Sequence, residues 1–369
     1  MTSSLGDDEK RPPKRGRLRS KLLVLTISCC LCLLFLEVTC QIFLARKYSR
    51  LTTRQALSRI FQAAPVDQKA TRFDAELGWA NIPNYSKDGI THNSFGFRGP
   101  REYPLTVPPG KTRIICIGDS FTYGQGCKDD EAYPARLESL NRNIEAINLG
   151  TCGYGIDQAY LKYKRDGVDF ETDLLLFTFI QNDFERMALP TFLVNNPKPY
   201  LVVKNKSLLV ANIPVPDWRD PTRSWLETFP NKTALFRVCR KIIDERFKPK
   251  DVFPVASKVF DELHQLSLAR SQQLVLVYLP TIRDDFKRRP KYTSRVREFA
   301  KQEKIPFIDL TTTFKILSPE RLLAQVQKDE PSGHYSAEGN QLVAETLMRE
   351  LKVLMPQIAQ HTRKKETQD

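Results

Sequence analysis

Short apolar runs alternate with amphipathic stretches over most of the chain. The runs Arg113–Ile117, Glu145–Asn148, Asp173–Ile180, Gln273–Leu279 and Pro306–Leu310 are rich in Ile, Val, Leu and Phe, and predict buried strands. Between them, Glu131–Asn141, Gln158–Asp166, Val255–Arg270 and Thr293–Glu303 carry helical spacing, and a last helix is predicted over Ala337–Leu354. Strand-then-helix alternation implies parallel strands covered on both faces. The expectation is an α/β domain over residues 111–355, a three-layer α/β/α sandwich with a parallel sheet of about five strands. Residues 184–254 interrupt the alternation as an insertion. Within it, Tyr200–Val203 and Leu208–Ala211 flank Asn205-Lys206-Ser207 and predict a hairpin, and Phe236–Phe247 reads as a helix.

A different pattern opens the chain. Leu22 to Leu44 is almost entirely apolar, and as one helix it would be about 34 Å long, enough to cross a bilayer. Residues 1–21 hold seven basic residues against three acids and read as a disordered cytoplasmic arm. The basic arm before the span keeps the amino end inside and places everything after the anchor outside the cytoplasm, although Arg46, Lys47 and Arg50 follow the span. A cleaved signal peptide is the competing reading, and no Ala-x-Ala-like site follows the apolar run. Residues 45–110 are a stalk and a loop-rich lead-in, in which Asn93-Ser94-Phe95-Gly96-Phe97-Arg98-Gly99-Pro100 is turn chemistry whose aromatic and glycine content suits packing on the following domain. Residues 356–369 form a tail.

Charge and cysteine usage remove several functional classes. The formal charge is +14, of which residues 1–59 carry +8, so the body is ordinary in charge. No basic stripe interleaved with aromatics is present, which argues against nucleic acid as a partner. Cys29 and Cys32 share a C-x-x-C spacing but lie in the apolar run, and no C-x-x-C pair or Cys/His cluster supports a metal, so neither a metal site nor a cofactor is expected; Cys127 and Cys152 read as free thiols in preference to a disulfide.

The chemistry sits on four stretches. Ser120 follows the first predicted strand, in Gly118-Asp119-Ser120, where open α/β sheets hold their ligands. Taken alone, this serine is either a nucleophile or the cap of a tight strand-to-helix turn. Asn148-Leu149-Gly150-Thr151-Cys152-Gly153 follows the second strand, and Gln181-Asn182-Asp183 ends the third. Gly333-His334-Tyr335-Ser336 opens the last helix, and of four histidines His334 alone lies on a loop between the last strand region and a helix. Parallel strands would gather the first three stretches at one sheet edge. Asp119 and Asp183 are expected to hold their turns by local hydrogen bonds.

In order and spacing, Gly118-Asp119-Ser120, Asn148-x-Gly150-x-x-Gly153, Asn182-Asp183 and His334 resemble the SGNH hydrolases, the GDSL-type esterases and lipases. Gly78-Trp79 and Asn93-Ser94-x-Gly96-x-Arg98-Gly99 are similar to the lead-in of membrane-anchored bacterial members. The resemblance implies the flavodoxin-like SGNH fold. It also implies Ser120 as nucleophile, His334 as general base, and the Ser120 N–H, Gly153 N–H and Asn182 amide as oxyanion donors. The family's aspartate shortly before the histidine is missing: Ser332 and Pro331 stand there, and Glu330, with Asp329 behind it, is the nearest acid. Glu330 is therefore expected to orient His334, with a Ser–His dyad as the alternative.

The function expected is hydrolysis of an ester or O-acetyl group through an acyl-enzyme outside the cytoplasm. Its partners would be an ester or acetylated glycan substrate and the membrane. Transfer of an acetyl group to an extracytoplasmic polysaccharide is the runner-up, and a catalytically inactive SGNH-like scaffold is the reading from another class.

Overall fold

A computed structural model describes residues 15–48, 70–192, 196–217, 251–281, 291–317 and 333–356, with isolated positions between 233 and 249. Residues 1–14, most of the stalk, most of the predicted Phe236–Phe247 helix and residues 357–369 lie outside the described residues, whereas residues 15–21 of the basic arm, expected to be disordered, are helical and continue the apolar run toward its amino end.

The sheet has five strands: β1 Thr112–Ile117, β2 Ile144–Asn148, β3 Leu174–Phe179, β4 Gln273–Tyr278 and β5 Phe307–Asp309. All pairings are parallel and the spatial order is β5-β4-β3-β1-β2. The predicted strands are therefore present: β1 and β2 begin one residue earlier than expected, and β3, β4 and β5 lose one residue at one or both ends. Every residue of β1, β2 and β3 is buried, as a parallel sheet covered on both faces requires.

Period-two alternation divides the core. Ile115, Ile117, Leu175, Phe177, Leu274 and Leu276 face one way, against α4 (Ile156–Lys162), α6 (Phe253–Ala269) and α7 (Thr293–Gln302). Ile114, Cys116, Leu174, Leu176, Val275 and Val277 face the other, against α3 (Tyr133–Leu140) and α8 (Ala337–Leu354). The result is the expected α/β/α sandwich. A slip of one residue in any strand would exchange the two sets, so burial on both faces fixes the register.

Arg113 is the exception inside β1: it is wholly buried and charged. Its Nε donates to Glu145, directly opposite on β2, at 2.6 Å, and its other nitrogens donate to the carbonyls of Leu105, Thr106 and Glu171. The guanidinium thereby ties the end of the lead-in to the amino edge of the sheet.

The lead-in belongs to the same compact unit as the sheet. The ribbon Thr71–Asp74/Gly78–Asn81 pairs antiparallel. From it Trp79 Nε1 donates to the Cys152 carbonyl at 2.8 Å and Asn81 Nδ2 to that of Gly150 at 3.2 Å. Within the insertion, Tyr200–Lys204 and Ser207–Ala211 form the predicted hairpin, with Asn205 and Lys206 both at positive φ as a two-residue turn demands.

Helix α1, Arg15–Tyr48, belongs to a separate unit with residues 225–241. Its stretch Lys21–Ile42 is long and apolar enough to cross a membrane. Glu37 on it accepts from Gln41 Nε2 and from the backbone N–H of Leu235, each at 2.8 Å.

Candidate active site

The chain order β1, β2, then β3 on the far side of β1 creates a switch point between β1 and β3, where connections leave in opposite directions. Ser120 begins α2 (Ser120–Tyr123) immediately after β1, and Asn182 is the second residue of α5 (Gln181–Met187) immediately after β3. The Gly150–Gly153 loop follows β2 on the other side of β1. Parallel pairing puts all three at the same edge of the sheet, as the sequence led us to expect.

Local chemistry fixes Ser120. Asp119 caps α2, its Oδ1 accepting from the Phe121 N–H at 2.9 Å. Asn148 ties the neighbouring loop down: its Nδ2 donates to the Thr122 carbonyl at 2.9 Å and its Oδ1 accepts from Gly150 N–H at 2.9 Å. A Cβ on Gly150 would lie 2.3 Å from the Tyr123 nitrogen, so only glycine lets this loop pack on α2. Gly153 adopts φ +82°, and a Cβ there would approach the Phe192 ring to 3.0 Å.

His334 arrives from the opposite end of the chain. Gly333, at φ +75°, reverses the backbone just before it. Ser336 caps α8 by accepting from the Gly339 N–H at 3.1 Å, and Asn340 Oδ1 accepts from the Tyr133 N–H of α3 at 3.1 Å. The imidazole packs against Phe121, with ring centroids 4.9 Å apart, and Tyr335 packs edge-on to the same ring. In this setting His334 Nε2 lies 2.7 Å from Ser120 Oγ, and both side chains are buried. Asp119 Oδ2 stands 3.4 Å from the same hydroxyl, so the imidazole is the closer acceptor.

Arg186, one turn beyond Asp183 on α5, was not among the residues singled out from the sequence. Its guanidinium donates to Asp119 Oδ2 at 2.9 Å, to Asp183 Oδ1 at 2.8 Å and to the Tyr154 carbonyl at 3.0 Å. It therefore joins the Ser120 turn, the Gly153 loop and the start of α5. Burial, with the charge of Asp119 added, pushes the Asp183 carboxyl well above the usual carboxylate range, and Arg186 opposes that shift. Asp183 Oδ2 accepts from the Ile180 N–H at 3.0 Å, so both aspartates hold turns as expected and are also ion-paired. The i, i+3 spacing of Asp183 and Arg186 on an amphipathic stretch was the signal available for this pairing.

A second buried network backs α2. His92 Nδ1 lies 2.9 Å from the Ile82 carbonyl and its Nε2 2.9 Å from the Tyr123 hydroxyl. Burial holds the His92 ring down to about 4, so near neutrality it is uncharged, Nδ1–H donates to Ile82 and Nε2 accepts from Tyr123 O–H. Arg98 Nε donates to Asp129 at 2.6 Å and its guanidinium lies over the Tyr123 ring at 4.5 Å.

Glu330 and Asp329 lie outside the described residues. No group of His, Cys, Asp or Glu among the described residues could hold a metal ion. None of the eight cysteines, Cys127 and Cys152 among them, forms a disulfide.

With a serine hydroxyl on an imidazole nitrogen at a switch point, the arrangement can deprotonate the serine as it attacks an acyl carbon. The profile of the GDSL-like Lipase/Acylhydrolase family matches residues 116–342. Among solved structures, a member of the lipolytic protein G-D-S-L family from Veillonella parvula is 14% identical, covering 64% of this chain and 97% of its own, with a TM-score of 0.38. A GDSL-like lipase from Bacteroides thetaiotaomicron is 16% identical, covering 69% of this chain and 93% of its own, also with a TM-score of 0.38. A variant of an acetyl-xylooligosaccharide esterase from Geobacillus is 17% identical, covering 65% and 93%, with the same TM-score of 0.38. No curated protein matches the chain. The matched profile spans all four site stretches, from the end of β1 through His334, and the chain belongs to the GDSL-like lipase/acylhydrolase family, as an enzyme that hydrolyses ester bonds.

Proposed function

We propose that this chain is a serine esterase that cleaves an ester or O-acetyl group through an acyl-enzyme, outside the cytoplasm. The observation that carries the reading is the 2.7 Å contact between His334 Nε2 and Ser120 Oγ. For Nε2 to accept the serine proton, the ring proton must sit on Nδ1. Ser120 Oγ attacks the carbonyl carbon as His334 Nε2 takes its proton, and the negative charge passes to the carbonyl oxygen. The Ser120 N–H, the Gly153 N–H and the Asn182 amide are the donors for that oxyanion, each worth about 3–4 kcal/mol in comparable enzymes. The carbon–alkoxy bond then breaks, and the imidazolium returns its proton to the leaving alcohol. Water repeats the sequence on the acyl-serine, releasing the acid and regenerating Ser120.

Glu330 is the acid assigned to orient His334. It stands four residues before the histidine, and the longer side chain of glutamate offsets the extra residue relative to the usual family spacing. A triad acid fixes the tautomer and stabilises the imidazolium without taking the proton. Glu330→Gln should lower turnover by orders of magnitude while Asp329→Asn changes little. Equal, small effects from both would establish a Ser–His dyad instead.

The N-terminal helix is assigned as the anchor, with the basic arm inside and the catalytic body outside. A reporter fused after Asp369 should be active only beyond the membrane, and cytoplasmic activity would reject that topology. The reaction itself is tested with 4-nitrophenyl acetate and a fluorophosphonate probe on the full chain in detergent. Acetate release in buffer alone supports hydrolysis. Release that accelerates with an added glycan, together with an acetylated product, would show transfer. Absence of labelling at Ser120 would leave the scaffold reading.

A further inference from the structure

Thr151, Cys152, Gly153 and Tyr154 form a tight turn, closed by the Tyr154 N–H donating to the Thr151 carbonyl at 3.3 Å. Gly153 is its third residue and sits at φ +82°. A positive φ at the third position marks a type II turn. The type I form of the same turn differs chiefly by a flip of the central peptide, and glycine at the third position admits both forms. The central peptide here joins Cys152 to Gly153. It is trans, so its carbonyl and its N–H point to opposite sides. The carbonyl belongs to Cys152. The N–H belongs to Gly153 and is the proposed second oxyanion donor. A group that holds the carbonyl therefore aims the donor.

Trp79 holds it. The indole Nε1–H donates to the Cys152 carbonyl at 2.8 Å. The indole is fixed in turn. Trp79 is 2% exposed and pairs with Phe73 in the lead-in ribbon. The Tyr154 hydroxyl donates to the Trp79 carbonyl at 2.6 Å, and the Tyr154 and Phe192 rings each pack on the indole with centroids 5.6 Å away. The ends of the turn are tied toward Ser120. The Thr151 N–H donates to the Gly118 carbonyl at 3.2 Å, and the Tyr154 carbonyl accepts from Arg186 at 3.0 Å. Neither of these ties decides which way the middle peptide faces. Gly153 is buried, and its own N–H has no hydrogen-bond partner among the described residues. Buried N–H groups left unspent are rare, and one kept for a reacting oxygen has a reason to be so.

We infer that Trp79 is a positioning residue for ester cleavage: its indole N–H keeps the turn in the type II form, and so keeps the Gly153 N–H turned away from the indole and available to the oxyanion. The inference rests on the serine-esterase reading above and adds to it the group that sets the second donor. Trp79 touches neither substrate nor reacting atoms. Without its bond the central peptide divides between the two turn forms, and only the type II share presents the donor.

The test removes the N–H and keeps an aromatic ring. Trp79→Phe does so with some loss of packing. Placing 3-benzothienylalanine at position 79 through a suppressed stop codon exchanges the N–H for sulfur at nearly constant shape, and serves if the phenylalanine variant does not fold. Each full-length protein in detergent is titrated to completion with a fluorophosphonate, so that kcat on 4-nitrophenyl acetate is counted per competent Ser120. Both variants should lose ~10–100-fold in kcat per site, with KM within twofold. The Ki of phenyl trifluoromethyl ketone, which forms a tetrahedral oxyanion adduct with a serine, should rise by the same factor. A merely structural tryptophan would lower the number of titrated sites and leave kcat per site and Ki at their wild-type values, and that result would overturn the inference. A fall in kcat with Ki unchanged would overturn it too. The esterase reading is judged separately, by wild-type turnover of 4-nitrophenyl acetate: turnover with no effect of Trp79 sinks only the positioning role, and no turnover sinks both.

Discussion

Ser120 Oγ and His334 Nε2 are 2.7 Å apart although 214 residues separate them in the chain. The imidazole is held by aromatic packing on Phe121, the residue next to Ser120. If the two side chains work as one unit, Ser120→Ala and His334→Ala should each reduce kcat on 4-nitrophenyl acetate by about 10⁴–10⁶, and the double variant should be no worse. Steady-state kinetics of the three proteins decides this. Additive losses would mean that the pair does not act together.

Arg186 joins Asp119, Asp183 and the Tyr154 carbonyl through one guanidinium. Replacing it with methionine strands two buried carboxylates. Loss of one partner from a buried pair typically costs about 3–5 kcal/mol, so urea denaturation should show a fall of that size. Because Arg186 positions the Ser120 turn without touching the reacting atoms, the folded fraction should lose kcat with KM little changed. All three bonds leave one guanidinium nitrogen, so Arg186→Lys, whose ammonium carries three donors, should recover more of the stability than Arg186→Met retains.

Gly153→Ala tests the loop that carries the proposed second oxyanion donor. The residue sits at φ +82°, where alanine costs about 1–2 kcal/mol. Its new Cβ also meets Phe192 at 3.0 Å. The variant should lose both stability and kcat. Combining it with Phe192→Leu should restore only the crowding component, because backbone strain is indifferent to the neighbour. Full rescue of Tm by Phe192→Leu would show that strain is unimportant here.

His92 predicts an acid-side loss of stability. Burial lowers its folded value to about 4 from an ordinary 6.5. Between those two values the unfolded chain binds more protons than the folded one, so stability falls as pH drops through that window. The contribution is fully present above about 6.5, and its loss amounts to about 3 kcal/mol by the time pH reaches 4. Urea titrations at pH 7 and pH 4.5 should show the decline in the wild type, and His92→Gln should flatten it at the cost of lower stability at pH 7. The same slope in both proteins would assign the acid sensitivity elsewhere.

Lys162 gives the opposite kind of substitution. It is buried on α4, and burial holds its amine down to about 8 from 10.5. That displacement measures what the fold gives up to keep the charge. Lys162→Met keeps the stem and removes the ammonium, and should raise stability at pH 7 by about 1–3 kcal/mol. A loss of stability would mean that the amine makes a compensating bond.

The sequence alone settled whatever depends on local period and residue type. Runs such as Ile114–Ile117 and Leu174–Phe179 read as buried strands, because they are short, rich in β-branched and aromatic residues, and lack the polar alternation of a half-exposed strand. The helix ends at Ser336 and the turn at Asn205-Lys206 follow from chemistry within four residues. Gly118-Asp119-Ser120 and the residues that match it along the chain were legible for the same reason. Periodicity carries no information about which distant loops meet. Placing β1 between β2 and β3 is what brings the loops carrying Ser120, Gly153 and Asn182 to one edge, and that order is a property of the whole sheet. Arg186 reads in sequence as one more polar residue on a helix; only the approach of the Asp119 turn from β1 makes it a bridge. Trp79 reads as one more aromatic residue of the lead-in, and its hold on the Cys152 carbonyl becomes visible only once the ribbon packs on the Gly150–Gly153 loop. Local patterns fix what each segment becomes. The meeting of segments is decided by burial of both sheet faces together, which no single segment can encode.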